Sequence, residues 1–498
     1  MDNKYDIIII GAGLGGLLTA NILSREGFKV CIVEQNKKLG GSIQSFAKDK
    51  TIFNTGLNYT ESLGNGEVLN QYFKYFKILD KINIKQLDID AFNKISFGNN
   101  STEYPFAQGH NHFIERLSAF FPKSKTNLKN YINTLETICN SFPLYTLDIH
   151  SNGKSNTGIL QQSTYKYLQS VDDNKILQEI LSSMNPLYGA VKEKTPLYIH
   201  ALINYSFIKS AWRLVDGSSQ LATAIASIVR KNGGTIHLST KVTSIGGQNN
   251  KAEYVELENG ERIFGKKIIS NIHPATTLNL VDGNLSKKFY KQRITSLENT
   301  IGMFTIYISL KENSFPYLNF NHHHYSTVNT WTANYDEKSW PEHYFLYTPA
   351  ISKSDKWATG IIAMTYMRYD EVKQWENSFT EKRKESYEIF KHKKAELLLN
   401  AIEKKFPDIR QHIRHYYTST PLTYRDYTGT PQGSSYGILK DYKDPLSTII
   451  TPKSRIKNLY FTGQNLNLHG ILGVTIGATL TSAEIIGLEY LVKKIKDA

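Results

Sequence analysis

The chain has 498 residues, enough for more than one domain and for a substantial buried core. Its 40% hydrophobic and 21% charged content excludes a disordered chain, and the presence of only two cysteines, Cys31 and Cys139, excludes a disulfide scaffold and points to a reducing compartment. A formal net charge of +14 suits an anionic lipid surface, nucleic acid or plain solubility, and no zinc-finger, helix-turn-helix or RNA-sheet pattern supports nucleic acid.

The first element is the apolar run Asp6 to Ile10, which reads as a parallel strand buried on both faces. No secretory signal is visible there, and no apolar run reaches the roughly eighteen residues of a spanning helix, so a cytoplasmic location is expected. Gly11-Ala12-Gly13-Leu14-Gly15-Gly16 follows with G-x-G-x-x-G spacing at Gly11, Gly13 and Gly16. That spacing allows a tight turn, close approach of a pyrophosphate and packing of the following helix, Leu17 to Arg25, which stops at Gly27. Lys29 to Val33 is the second strand, and Glu34 ends it about twenty residues after the turn, where a carboxylate suits a ribose hydroxyl pair. An adenine dinucleotide is expected at this turn.

Leu39-Gly40-Gly41-Ser42 would bring a second stretch of backbone to the cofactor, and Ser45-Phe46 with Thr51 to Tyr59 reads as a short hairpin ending nearby. The acid, the paired glycines and Phe53-Asn54-Thr55-Gly56-Leu57-Asn58-Tyr59 resemble the N-terminal region of the phytoene desaturase, carotenoid isomerase and retinol saturase superfamily. The version in this chain is most similar to the "F-D-T-G-x-H-Y" of retinol saturases, with Asn54 and Asn58 in place of the acid and the His, and Ser42 where carotenoid desaturases carry Arg. The resemblance implies an α/β fold: an FAD-binding Rossmann-type domain of the amine oxidase and glutathione reductase kind, with an inserted α+β substrate domain. On that reading residues 1–60, 210–285 and 440–498 form the FAD domain, and 61–209 with 286–439 the substrate domain.

In the insert, Leu69 to Phe76, Phe113 to Phe121 and Tyr131 to Phe142 are predicted helices, with Pro122 and Pro143 as stops, and Ala91 to Phe97 and Thr102 to Phe106 are candidate strands of a second sheet. Asp216 to Gln220 opens a helix over Leu221 to Lys231 that ends at Gly233-Gly234. Strands follow at Thr235 to Leu238, Lys241 to Ile245, Glu253 to Leu257 and Arg262 to Phe264, the last two joined by Asn259-Gly260 as a two-residue hairpin, and Lys267 to Asn271 returns as a separate buried strand. By resemblance Val242 stands where a valine brackets the adenine with its backbone.

Ile301 to Leu310 and Gly360 to Tyr366 read as strands. His322-His323-His324 lacks a converging ligand set, so a solvated loop and no metal are expected. Ser378 to Phe406 reads as one long amphipathic, basic helix with a Ser378-x-x-Glu381 capping box, packed on its own domain or lying on an anionic bilayer, with the first favoured.

Near the end, Leu459 to Asn465 is a strand closing on Gly463, followed by Leu468-His469-Gly470-Ile471-Leu472-Gly473-Val474 and a helix from about Thr475 to Lys494. "F-T-G-Q-x … G-x-x-G", with Thr420 to Arg425 and Gly433 to Gly437, is again similar to retinol saturases and carotenoid isomerases, Asn465 standing where Asp is common. The resemblance puts Gly463, Gln464, Asn465, Gly473 and Val474 beside the flavin, with Gly470 and Gly473 leaving room for the ring and the helix start facing its pyrimidine edge. A helix start favours the negative charge of reduced flavin.

The function so implied is an FAD-dependent oxidoreductase acting on C=C or CH–CH bonds of a polyene or other long apolar lipid, by saturation, desaturation or isomerisation. Peripheral contact with the inner face of the membrane goes with such a substrate. No second dinucleotide turn is present, so electrons would come from transient NAD(P)H or an electron-carrier protein. Candidate acid–base partners are Tyr59, Asn58 and His469. The rival readings are an amine oxidase on the same scaffold and a non-catalytic lipid-binding escort of the Rab escort and GDP-dissociation-inhibitor type.

Overall fold

The run of four isoleucines before the glycine turn divides its side chains between two cores, as the two-residue period of a strand demands. Ile7 and Ile9 enter one cluster, and Ile8 and Ile10 another. This strand, Lys4–Ile10, is central in a seven-stranded sheet of the computed structural model, which describes residues 4–149, 157–380 and 382–498. The order across the sheet is Thr235–His237, Val30–Val33, Lys4–Ile10, Arg262–Ser270, Lys251–Leu257 and Val242–Gln248, and Leu459–Phe461 pairs with the end of Arg262–Ser270. The first four strands run parallel, and Leu459–Phe461 joins in the same sense, with Ile10 opposite both Val33 and Ser270 and Ser270 opposite Phe461. Three strand ends separated by hundreds of residues thus finish at one level. Helices Leu14–Arg25, Ser219–Lys231 and Gly470–Ile486 share a core on one face, and the antiparallel ribbon with helices Pro274–Leu280 and Lys288–Thr295 closes the other.

A second seven-stranded sheet takes the order Ile413–Ser419, Gly302–Leu310, Gly360–Met367, His343–Tyr347, Asn321–Tyr325, Asn93–Phe97, Tyr104–Phe106, antiparallel except where Asn321–Tyr325 meets Asn93–Phe97. Gly302–Leu310 and Gly360–Met367 are buried along their whole length, so this sheet too is covered on both faces. A small sheet of Thr60–Glu61, Ala211–Leu214 and Ile84–Gln86 lies between the two units in sequence and in space. Arg213 holds it to the second sheet. Its fully buried guanidinium donates to the Leu318, Thr348 and Phe320 carbonyls at 2.7, 2.8 and 2.9 Å and to Asn321 Oδ1 at 2.7 Å.

Several elements differ from the sequence reading. Arg262 to Ser270 is a single strand, because its first half pairs with the ribbon while its second half pairs with Lys4–Ile10. The Asn259-Gly260 turn is a three-residue loop: Leu257 N–H donates to the Glu261 carbonyl, and Gly260 takes φ +83°. Helix Val68–Tyr75 belongs to the core of the first sheet, through Leu69, Tyr72 and Phe73, although it lies in the insert. The long basic helix spans only Glu385–Glu403; Tyr387, Leu398 and Ile402 face its own domain, while Ile389 is 63% exposed. The proposed cap residue Glu381 lies outside the described residues.

The three adjacent histidines form no solvated loop. They lie in the buried strand Asn321–Tyr325, with His324 Nδ1 2.8 Å from Ser96 Oγ and His323 against Phe345 at a ring separation of 4.6 Å. No metal-binding cluster occurs among the described residues. Burial holds His200, His323, His324 and His343 at a pKa of about 3, far below the unfolded value near 6.5. Between those values the unfolded chain binds more protons than the folded one. The contribution to stability is therefore complete above pH ~6.5 and is lost as pH falls, at about 1.4 kcal/mol per group per unit. The thermal midpoint should drop clearly between pH 7 and pH 5, and replacing His343 by Gln should flatten that drop; calorimetry at the two pH values measures both.

Candidate functional site

A cavity of about 440 Å³ opens where the strand ends of the first sheet finish, and it continues toward the second sheet. That volume lies within the range of cofactor and ligand sites. At one end it is lined by the first glycine turn, by Glu34 and by Val242; at the other by Glu61, Phe207, Tyr347 and the start of helix Gly470–Ile486.

The turn end is built by backbone. Glu34 Oε2 accepts from Ala12 N–H and Oε1 from Asn36 N–H, both at 2.8 Å, which fixes the acid beneath the turn. Gly40 N–H donates to the Ala12 carbonyl at 2.9 Å, so the second glycine pair lies directly on the first. At Gly15 there is no room for a side chain: an added Cβ would stand 2.5 Å from Asn271 Oδ1 and 2.7 Å from Gly463 Cα. The two glycine-punctuated ends of the chain therefore meet at Asn271, and the hydroxyls of Thr19 and Thr462 are 3.1 Å apart just behind them. Helix Leu14–Arg25 starts at this turn with no side-chain cap, leaving its N–H groups directed at the cavity.

Gly11, Gly13, Leu14, Glu34, Gly40, Gly41, Ser42, Gly56, Val242, Gly463, Gln464, Asn465 and Val474 all line this one cavity, as do Asn58, Tyr59 and His469. Gly16 and Gly473 do not. Gly16 packs under the turn, where a Cβ would meet the Gly11 carbonyl at 2.2 Å, and at Gly473 a Cβ would meet the Leu468 backbone at 2.8 Å, so Gly470 alone of the later pair borders the open space. Asn465 uses its side chain within the protein, Oδ1 accepting from Ile438 N–H at 3.0 Å. Next to it the buried Lys440 donates to the Thr448, Asn465 and Leu466 carbonyls at 2.7, 3.1 and 2.9 Å, and burial lowers its pKa to about 7.

Of the acid–base candidates, His469 is neutral at physiological pH: burial lowers its pKa to about 4, and its Nε2 lies 3.1 Å from the Leu187 carbonyl, to which it donates. Its ring rests on Tyr436 at 4.4 Å. The Tyr59 phenol, packed on Phe207 at 4.9 Å, is held above its ordinary pKa by burial. Asn58 donates to Met364 Sδ at 3.5 Å. Sequence reasoning missed Glu61. It lies two residues after the Thr55-to-Tyr59 motif, and only the folded chain brings it to the start of the last long helix. It also missed Asn271, Arg213 and Lys440, whose partners are all distant in sequence.

Two helix starts, a carboxylate under a glycine turn and backbone too close for side chains define a dinucleotide-binding oxidoreductase site of the flavoprotein kind. The chain belongs to the family described as flavin-containing amine oxidoreductases, whose model matches residues 14–486. The cofactor is FAD. The all-trans-retinol 13,14-reductase of Macaca fascicularis is 26% identical over 534 residues, covering 97% of this chain and 86% of that protein. The 4,4'-diaponeurosporene oxygenase of Staphylococcus aureus (strain bovine RF122 / ET3-1) is 25% identical over 491 residues, covering 93% and 94%. Among solved structures, putrescine oxidase bound to putrescine has the same fold, with a TM-score of 0.65 at 12% identity and coverage of 97% and 99%.

Gly15→Ala should empty the site. The new methyl must displace Asn271 or the Gly463 backbone, an overpacking cost of about 1–3 kcal/mol that corresponds to a loss of roughly tenfold or more in FAD affinity. Gly283→Ala, where nothing lies within 4 Å of the added Cβ, should be neutral. The ratio of flavin to protein absorbance after purification compares the two.

Proposed function

We propose that this oxidoreductase acts on carbon–carbon bonds of a long apolar polyene, exchanging hydride between the flavin and a substrate carbon. The observation that carries this reading is the second half of the cavity, lined by Leu187, Leu202, Ile203, Phe207, Met303 and Phe345, a surface suited to a conjugated chain and, among the described residues, without lysine or arginine. Relatives named for all-trans-retinol and for diaponeurosporene, both conjugated polyenes, support it. When bound, FAD supplies a two-electron hydride acceptor or donor at the end of this apolar half. The glycine turn with Glu34 would hold its nucleotide tail, the start of helix Gly470–Ile486 would border its ring, and the apolar residues would keep water from the reacting carbons.

Anaerobic photoreduction of the flavin followed by a screen of carotenoids, retinoids and unsaturated fatty acyl compounds tests the reading. Reoxidation with two hydrogens added to the product marks a saturase, and an altered spectrum at unchanged mass an isomerase. Oxygen consumption with amines and no response to any polyene would overturn the reading in favour of an amine oxidase. Electrons are assigned to a transient nicotinamide or carrier protein, which the same photoreduction bypasses.

The membrane surface is proposed as the place where the substrate is met. Phe289 is 84% and Leu446 72% exposed, and Arg293 joins their two elements by donating to the Ser447 carbonyl at 3.1 Å. Lys287, Lys288 and Lys443, with Asp444, are exposed beside them in the chain. Exposed apolar side chains with more cations than anions next to them suit an anionic bilayer. Sedimentation with phosphatidylglycerol vesicles should fall at least tenfold in a Phe289→Glu, Leu446→Glu variant, with flavin content unchanged.

A further inference from the structure

Reduction of a carbon–carbon double bond needs a proton as well as a hydride, and the cavity lining offers carboxyls, histidines, phenols and Lys241 as groups that carry one. Two carboxyls line it, one at each end. Glu34 lies under the glycine turn, engaged by two backbone N–H groups. Glu61 lies at the other end, 7% exposed, on the two-residue strand Thr60–Glu61. Its Oε1 accepts from Leu472 N–H at 3.1 Å, in the first turn of helix Gly470–Ile486, and its Oε2 from Thr60 Oγ1 at 3.1 Å. No lysine, arginine or histidine is paired with it among the described residues. The titratable groups around it are Tyr59 on its own segment, Tyr145 from the helix Pro143–Thr146, and His469 at the cap of the helix it touches.

We propose that Glu61 is the proton-donating residue of the polyene reaction, a neutral carboxyl that delivers its proton to the carbon next to the one receiving hydride. This rests on the functional reading above. The double-bond pair of electrons is consumed in forming one C–H bond with the proton of Glu61 while the hydride forms the other. Glu61 is left as carboxylate and the flavin oxidised. Water then returns the proton to Glu61, and a two-electron donor of the reduced nicotinamide or carrier-protein class returns the electrons. In the direction of desaturation Glu61 carboxylate takes the proton instead.

The titratable groups beside Glu61 are less fitted to the task. His469 has its one N–H committed to the Leu187 carbonyl, and Tyr59 and Tyr145 are phenols that burial makes weaker acids than in water. Burial acts on Glu61 in the useful sense: it raises the carboxyl above its ordinary range and so keeps the proton on it nearer neutral pH. The helix start pulls the other way by favouring an anion.

Glu61→Gln keeps the size of the side chain and the acceptor for Leu472 N–H, so FAD content and thermal midpoint should match the wild type. In the photoreduced enzyme, reoxidation by the polyene should slow at least about a hundredfold in the variant, the scale of a lost general acid, while reoxidation by oxygen stays unchanged. Glu61→Asp should recover part of the rate. Infrared absorption supplies a readout free of substrate: at pH 7 the wild type should show the carbonyl band of a protonated buried carboxyl, and the variant should lack it. Polyene reoxidation of Glu61→Gln at the wild-type rate, or absence of that band from the wild type, would overturn the proposal. If no polyene reoxidises even the wild type, the functional reading fails, and the infrared band alone then decides whether Glu61 carries a proton here.

Discussion

Everything at the cofactor end depends on one side chain wedged among glycines. Asn271 stands one residue beyond the end of Arg262–Ser270, and its side chain occupies the space that Cβ atoms at Gly13, Gly15, Gly16 and Gly463 would need, at 2.8, 2.5, 3.2 and 2.6 Å. Its Nδ2 is 3.4 Å from the Gly11 carbonyl. Parallel pairing on both sides of that strand brings Ile10 and Phe461 level with Ser270, so the turn after each strand must pass close to the next residue. Any side chain at these positions would push the two turns apart. The separation of two helix starts, and with it the positive field they direct into the cavity, is set by the thickness of one asparagine.

That arrangement is the part of the molecule most open to reading from the chain. The turn, the acid after the second strand and the closing strand with its glycine are short local patterns, each with a mechanical reason for its residue types. Nearly all of the cofactor positions they single out line the cavity. Gly473 shows where the reading stops. Glycine spacing alone cannot distinguish space left for a ligand from space left for Leu468, since both require the same missing Cβ.

The second unit was less legible because its order comes from contacts distant in the chain. His322-His323-His324 has the composition of a polar loop, yet its strand neighbours Ile95, Ser96, Tyr344 and Phe345 make it an interior ladder. His324 Nδ1 meets Ser96 Oγ, His323 Nδ1 the Ser183 carbonyl and His322 Nε2 the Glu103 carboxylate, and burial lowers the pKa of all three rings. Lys394 misleads in the same way. It falls on the charged side of a basic helix by period, but it is buried and paired with Glu371. Glu61 gave no signal at all beyond its nearness to a recognisable motif.

Two buried basic side chains are held by main chain instead of by acids. Arg213 and Lys440 donate to main-chain carbonyls, without a carboxylate partner among the described residues, so each keeps its hydrogen bonds while joining segments distant in the chain. Arg213 sits on Ala211–Leu214, the strand whose Ala211 pairs directly with Glu61. The position of the Glu61 carboxyl is therefore set from both sides: by the N–H of Leu472 in the cofactor unit, and by a strand that Arg213 fixes to the substrate sheet. A group placed by only one unit would shift relative to a substrate held by the other. Placed by both, it keeps its register with the helix that starts at Gly470 and with the apolar half of the cavity at the same time, which is the requirement on any residue that must act between a cofactor and a long substrate.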